Sequence, residues 1–149
     1  MTFAPPDPRN QLINEICKNG LLEEYRHTIR AILEEIFANG AKVSCKYNET
    51  ASNIDPDRVR PYQIRVSMIR VKHPLNIIWN ILHEYGHYLD WPVKPADSRI
   101  DREKTAWRYA EQMLTKYPRL LDSVAYFEHH KNWCLSTYYL AEKVRKEVK

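Results

Sequence analysis

The sequence predicts one small α+β domain over residues 1–149, with four or five helices and a short antiparallel or mixed sheet. Several segments repeat apolar residues with the period of an amphipathic helix. Two shorter segments in the middle of the chain alternate apolar and polar residues, as half-buried strands do. Hydrophobic residues make up 44% of the chain and charged residues 28%, which is ordinary for a globular protein. No repeat, linker or low-complexity segment indicates a second domain.

The first part of the chain is predicted to form two helices. Asp7 can cap a helix that has Pro8 at its first position and ends at Asn19-Gly20. A second helix is predicted over residues 21–40, where another Asn-Gly pair ends the pattern. Its apolar stripe consists of Leu22, Tyr25, Ile29, Ile32, Leu33 and Ile36.

Two strands are predicted next. Residues 41–47 alternate, with Val43 and Cys45 on the apolar face, and a polar loop is expected over residues 48–60. Residues 62–71 alternate again and then shift phase at Ile69, which predicts a bulge or bend. An exposed edge of such a sheet could hold an extended peptide by strand addition, although two strands do not show which edge is free.

The most informative segment is residues 74–90, where a helix would carry one narrow polar stripe on an otherwise apolar surface. The stripe contains the HExxH pattern of zinc hydrolases, from His83 to His87. Residues four apart lie one above the other on a helix, so these two imidazoles can converge on one cation. Glu84 is rotated away from them and would stand beside the metal, as a base for water requires.

A surface helix whose two histidines touch only solvent is the alternative reading of this segment. The apolar flanks argue against it, because a helix that is apolar around most of its circumference is expected to be buried. Burying two histidines and a glutamate without partners would be costly. A metal ion would satisfy all three.

A catalytic zinc needs a third protein ligand, and the next helical pattern offers Glu103. Ser98 and Asp101 form a capping box at the start of that helix. Glu103 falls on its apolar stripe, where a carboxylate needs a cation or several donors. An ion pair with an arginine or lysine is the alternative to a zinc ligand, and Asp90, Asp97 and Asp101 are the alternative third ligands.

His83-Glu84-x-Gly86-His87, followed by Glu103-x-x-Ala106-x-x-Tyr109-Ala110, resembles the ImmA/IrrE family of gluzincin-type metallopeptidases over roughly residues 60–115. The resemblance implies a zincin-like domain with HExxH on a central helix. It further implies Zn²⁺ bound by His83, His87 and Glu103, with Glu84 as the catalytic base. It also implies a protein substrate, such as a helix-turn-helix repressor or an antitoxin-like partner.

Two positions depart from the family pattern. Thr105 stands where the family has a second glutamate, and Trp107 replaces an asparagine. In related zincins this second position can steady a ligand histidine. Asn80 and Asp90 are the nearest polar residues that could replace that support, or they are ordinary residues of the helix surface.

The function predicted from these residues is metallopeptidase hydrolysis of a peptide bond, with Glu84 accepting a proton from the attacking water and later passing it to the leaving amine. A non-proteolytic, zinc-stabilised binding module is the main alternative, and a zinc hydrolase acting on a non-peptide amide is a weaker one. A tyrosine could stabilise the oxyanion. The candidates are Tyr109, Tyr117, Tyr126, Tyr138 and Tyr139.

The last part of the chain is predicted to contain two packing helices beyond Tyr117-Pro118. The first would hold Leu120 to Phe127, and the second Trp133 to Val144. His129 and His130 are expected at the surface, because adjacent residues diverge on a helix.

Composition excludes several other classes. The net charge of +4 is spread along the chain, so no nucleic-acid partner is expected. No apolar run is long enough to cross a membrane, and the first residues lack the pattern of a signal peptide, which predicts a cytoplasmic protein. Three widely spaced cysteines predict reduced thiols rather than a disulfide framework.

Overall fold

The computed structural model describes residues 7–55, 62–69 and 71–147. These residues form an α+β arrangement of a three-stranded mixed sheet and six α-helices. The α+β class is confirmed, whereas the expectation of four or five helices is too low. The elements are α1 (Pro8–Asn19), a 3₁₀ turn (Glu23–Tyr25), α2 (Arg26–Ala38), β1 (Lys42–Lys46), β2 (Asn53–Asp55), β3 (Gln63–Ser67), α3 (Leu75–Leu89), α4 (Arg99–Leu114), α5 (Pro118–Leu121) and α6 (Val124–Glu147).

Helix α1 has the predicted bounds. The Asp7 side chain accepts a hydrogen bond from the backbone N–H of Arg9 at 2.9 Å, and Pro8 occupies the first turn. The predicted start of the second helix at Leu21 is wrong. Leu21 has a φ of 58°, in the left-handed region, so the chain turns there before α2 begins at Arg26.

The sheet has the strand order β1-β3-β2, with β1 parallel and β2 antiparallel to β3. Strand β2 lies inside the segment predicted to be a loop, so that prediction is wrong at residues 53–55. The predicted strand over residues 62–71 is also too long. It ends at Ser67, whose hydroxyl donates to the carbonyl of Glu49 at 2.7 Å, and the shift of apolar phase at Ile69 marks the end of the strand rather than a bulge within it.

Helix α3 has the bounds that the sequence predicts, with Pro74 before it and Asp90 after it. It contacts β2 and β3 as well as α4 and α6. Eleven of its residues are buried, so its apolar surface faces other elements as expected. The core also includes apolar residues of α1, α2 and β3, among them Ile16, Ile36 and Ile64.

Helix α4 begins as predicted at the capping box of Ser98 and Asp101. The end of the chain differs from the prediction, because the break between helices falls at residues 122–123 and α6 then continues without interruption to Glu147. Within the described parts of the chain, none of the helices combines the length and apolarity that a membrane span requires. Cys17, Cys45 and Cys134 are all free thiols.

Candidate metal centre

The side chains of His83, His87 and Glu103 converge between α3 and α4. The Nε2 atom of His83 lies 2.7 Å from Oε2 of Glu103, and Nε2 of His87 lies 3.2 Å from Oε1 of the same carboxylate. One ligand atom from each of the three residues lies within 4.8 Å of the others, a spacing at which they could hold a metal ion. The structure therefore brings together the three residues predicted as zinc ligands.

Close packing of the two helices makes this convergence possible. A Cβ atom built on Gly86 would overlap the carbonyl oxygen of Ala106 and lie 2.8 Å from its carbonyl carbon. Only glycine allows α4 to approach α3 so closely at this point. Since Glu103 lies one turn before Ala106 on α4, the contact carries its carboxylate to the two imidazoles.

The centre is a buried cluster of charges. His83, Glu84 and Glu103 are each less than one-tenth exposed, and His87 is half-buried. Burial opposes a charge on His83, but hydrogen bonding to Glu103 and Glu84 overcomes this and raises the pKa of His83 to about 9. Burial likewise opposes a charge on Glu103, but hydrogen bonds from His83 and His87 hold its pKa well below the ordinary value.

Glu84, the predicted catalytic base, lies beside this cluster. Its Oε1 atom is 3.5 Å from Nδ1 of His83, the ring nitrogen that does not contact Glu103. The convergent group consists of His83, His87 and Glu103 without Glu84. The carboxylate is thus a neighbour of the candidate ligands rather than one of them.

Trp107 packs against the ring of His83. The two rings stack with centroids 4.2 Å apart and planes inclined by 10°. The indole is 1% exposed, so it fixes the plane of the imidazole by packing. An asparagine at this position would act through a hydrogen bond, whereas the tryptophan acts through its flat surface.

The two polar residues considered as replacement supports make other hydrogen bonds. The Oδ1 atom of Asn80 lies 2.8 Å from Nε2 of His130 on α6. Asp90 ends α3, and its backbone N–H donates to the carbonyl of Gly86. The expectation that His130 lies at the surface is wrong, since it is half-buried between Asn80 and Trp107; its neighbour His129 is exposed as predicted.

Burial lowers the pKa of His130 to about 4, and the positive charge of His83 acts in the same direction. A neutral His130 can donate from Nε2 to Asn80, which links α6 to α3. The sequence did not reveal this residue, because its signal was only an adjacent pair of histidines on a helix.

Of the five tyrosines considered as oxyanion donors, Tyr138 interacts with Glu103 of the centre. Burial and the neighbouring carboxylate of Glu103 raise its pKa. Its ring lies 5.1 Å from the guanidinium of Arg99, one turn before Glu103 on α4. By contrast, Tyr126 stacks on His73 and Tyr139 lies under Lys104.

Among the described residues, the convergent group contains none of the three aspartates considered as alternative third ligands. Asp101 closes the capping box with Ser98, and the backbone N–H of Asp97 donates to the carbonyl of Lys94 in a turn. Within residues 7–55, 62–69 and 71–147, the ion-pair partners of Glu103 are histidines rather than an arginine or lysine.

No protein-family model, curated protein or solved structure significantly matches this chain.

Proposed function

We propose that this chain is a cytoplasmic zinc metallopeptidase of the ImmA/IrrE type, with a zincin-like fold, which hydrolyses peptide bonds in a protein substrate. The observation that carries the proposal is the convergence of His83, His87 and Glu103, with the carboxylate of Glu84 beside them. The HExxH spacing on a buried helix supports the same conclusion.

The donor set fits zinc. Two imidazole nitrogens and one carboxylate are typical ligands of catalytic zinc sites, which leave a further position for water or substrate. All three candidate ligands face the same point between α3 and α4. A zinc ion bound there would polarise the scissile carbonyl and lower the pKa of water.

The chain's own residues would supply the proton transfers. Glu84 accepts a proton from the attacking water and returns it to the leaving amine, a role for which its burial next to His83 is suited. Tyr138 donates a hydrogen bond to the carbonyl oxygen as negative charge develops. Trp107 keeps the ring of His83 in a fixed plane throughout.

We infer that the substrate lies extended along β2. The sheet has two edge strands, β1 and β2, and of these β2 contacts α3, the helix that carries the histidines. A peptide added to that edge would pair through its backbone with a strand that contacts the histidine-bearing helix. The protein substrate is proposed to be a transcriptional repressor or an antitoxin-like regulator, as the family resemblance implies.

The test compares the wild type with Glu84→Gln. The variant is expected to keep its zinc content and fold while losing at least about 100-fold in cleavage rate, because the amide cannot accept the proton. Glu111→Gln, an exposed glutamate of α4, is the matched control and should cleave at the wild-type rate. Metal is measured by elemental analysis, and cleavage by mass spectrometry of a proteome-derived peptide library.

The second candidate is a non-proteolytic binding module. It is favoured by the direct contact of 2.7 Å between His83 and Glu103, because this contact gives both buried side chains a hydrogen-bond partner without a metal. If the wild type and Glu84→Gln leave every peptide intact, the binding module replaces the peptidase. If the wild type leaves every peptide intact but hydrolyses a non-peptide amide, the chain is instead a zinc hydrolase of that other class.

A further inference from the structure

The outer edge of β1 has free backbone groups. On the inner side, the N–H of Lys42 donates to the carbonyl of Tyr62 at 2.8 Å, and the carbonyl of Lys46 accepts from Met68 at 3.0 Å. Because bonding direction alternates along a parallel strand, the N–H and C=O groups of Val43 and Cys45 point away from β3. They have no hydrogen-bond partner among the described residues. The edge can therefore accept another strand.

A groove of about 530 Å³ lies beside this edge. It is lined by residues 40–44 at the start of the strand and by Leu12 of α1 and Phe37 of α2. Both of these side chains are half-buried, so they offer apolar surface next to the free backbone. The groove shares no lining residue with the metal centre.

The charges of the groove are of one sign. Arg9 and Lys42 line it and are exposed, whereas no aspartate or glutamate does. The guanidinium of Arg9 lies 5.2 Å from the centre of the Phe37 ring, so the cation sits directly beside the apolar surface. A ligand that combines apolar groups with carboxylates would match both features.

We propose that the edge of β1 and this groove bind an extended segment of a partner protein in which apolar residues alternate with aspartate or glutamate. Side chains of a strand point alternately to opposite faces. In a segment paired with β1, one set would contact Leu12 and Phe37 while the other set meets the cations. Main-chain hydrogen bonds to Val43 and Cys45 would supply affinity for any such sequence.

The probe is a fluorescein-labelled peptide of eight alternating valines and glutamates, added to the full chain and followed by fluorescence anisotropy. It is expected to bind, and to bind more weakly as salt is raised. The same peptide with alternate amides N-methylated on the edge that faces β1 should bind at least about tenfold more weakly, because the backbone pairing is lost. A valine–lysine peptide should not bind.

Variants locate the binding site. The double charge reversal Arg9→Glu with Lys42→Glu is expected to abolish binding, whereas Lys18→Glu, an exposed residue of α1 outside the groove, should leave it unchanged. Glu103→Ala should also leave it unchanged, which separates this surface from the metal centre. Circular dichroism verifies the fold of each variant.

Three outcomes would overturn the proposal. The first is no binding of the valine–glutamate peptide, and the second is equal binding of its N-methylated form. The third is a wild-type dimer in light scattering that the double reversal dissociates, because the occupant of the edge would then be a second copy of the chain.

Discussion

His83 exists in two forms that differ by one proton. The raised pKa of about 9 means that, without metal, the ring is charged and paired with Glu103 at neutral pH. A histidine that ligates a metal must be neutral. A metal ion bound by His83 would therefore compete with this proton for the side chain.

The affinity for zinc should consequently rise with pH. Below about pH 9 the bound proton must leave His83 first, so the apparent dissociation constant is expected to fall by about tenfold per pH unit between pH 6.5 and 9. The stability of the metal-free protein should depend on pH in the opposite direction and decrease as the pH rises. The stabilisation from a raised histidine pKa is complete below pH 6.5 and is lost as the pH rises through 9.

Calorimetric titration in buffers of different ionisation enthalpy measures this effect, because it counts the protons released per zinc bound. We expect about one at pH 7. A pH-independent affinity with no proton release would show that His83 is neutral before metal binds, and would contradict the ion pair as the metal-free state.

Trp107 replaces a polar support with a packed ring. Trp107→Leu keeps an apolar side chain but removes the surface that stacks on His83 at 4.2 Å. Loss of an orienting neighbour of a metal ligand typically costs about 10-fold to 100-fold in affinity, and we expect a loss in that range. Competition with a chromogenic chelator measures it.

Phe127→Leu is the matched control for this variant. Phe127 is buried as fully as Trp107 and packs against it with ring centroids 5.7 Å apart. Among the described residues, Phe127 has no ring contact with His83. Both variants should lower the free energy of unfolding, whereas only Trp107→Leu should lower metal affinity. Equal affinity losses would show that general loosening of the core is responsible.

At the scale of elements, the contact between α3 and α4 depends on Gly86. In an open helix, replacing glycine with alanine stabilises by about 1 kcal/mol. Here the new Cβ would overlap the backbone of Ala106, and α4 would have to move away. Gly86→Ala is expected to reduce the free energy of unfolding by about 2 kcal/mol.

The test is whether Gly86→Ala lowers or raises the free energy of unfolding, which urea denaturation measures. Because the obstacle is a backbone carbonyl, Ala106→Gly in the same chain should not restore stability. Zinc affinity should fall together with stability, since Glu103 moves with α4. An increase in stability would show that the helices are not held at this distance.

The elements that carry the site were those best predicted from sequence. Helix α3 has an apolar surface interrupted by one polar stripe, and α4 begins at a capping box. The bounds of α3, the start of α4 and the buried face of each helix could therefore be inferred. Strand β2 could not, because it is three residues long and Ile54 is its single apolar residue. It is held by pairing with β3, which no local pattern encodes.

The long α6 was misjudged for a related reason. From Trp133 onward it leaves Trp133, Leu140 and Val144 exposed, so the apolar spacing that indicated a packing helix does not correspond to burial. The bond between His130 and Asn80 joins residues 50 positions apart. Such a contact follows from the packing of α6 on α3 and has no signature in either segment alone.

For the whole molecule, the candidate ligands join two helices that belong to one core. His83 and His87 come from α3, which contacts the sheet, and Glu103 comes from α4. An ion that binds these three residues in the folded state but not in the unfolded chain must stabilise folding by mass action. The effect belongs to the complete fold, since neither helix alone holds all three ligands.

Zinc is therefore expected to raise the thermal midpoint of unfolding in proportion to the logarithm of its free concentration. At 100 times the dissociation constant the gain is about 2.7 kcal/mol. Glu103→Ala should lose most of this dependence, whereas Glu111→Ala, an exposed glutamate on the same helix, should keep it. Each variant is compared with itself with and without zinc, so its intrinsic stability cancels. A midpoint of the wild type that does not respond to zinc, in a protein shown to be folded, would mean that these three side chains form a hydrogen-bonded cluster and not a metal site.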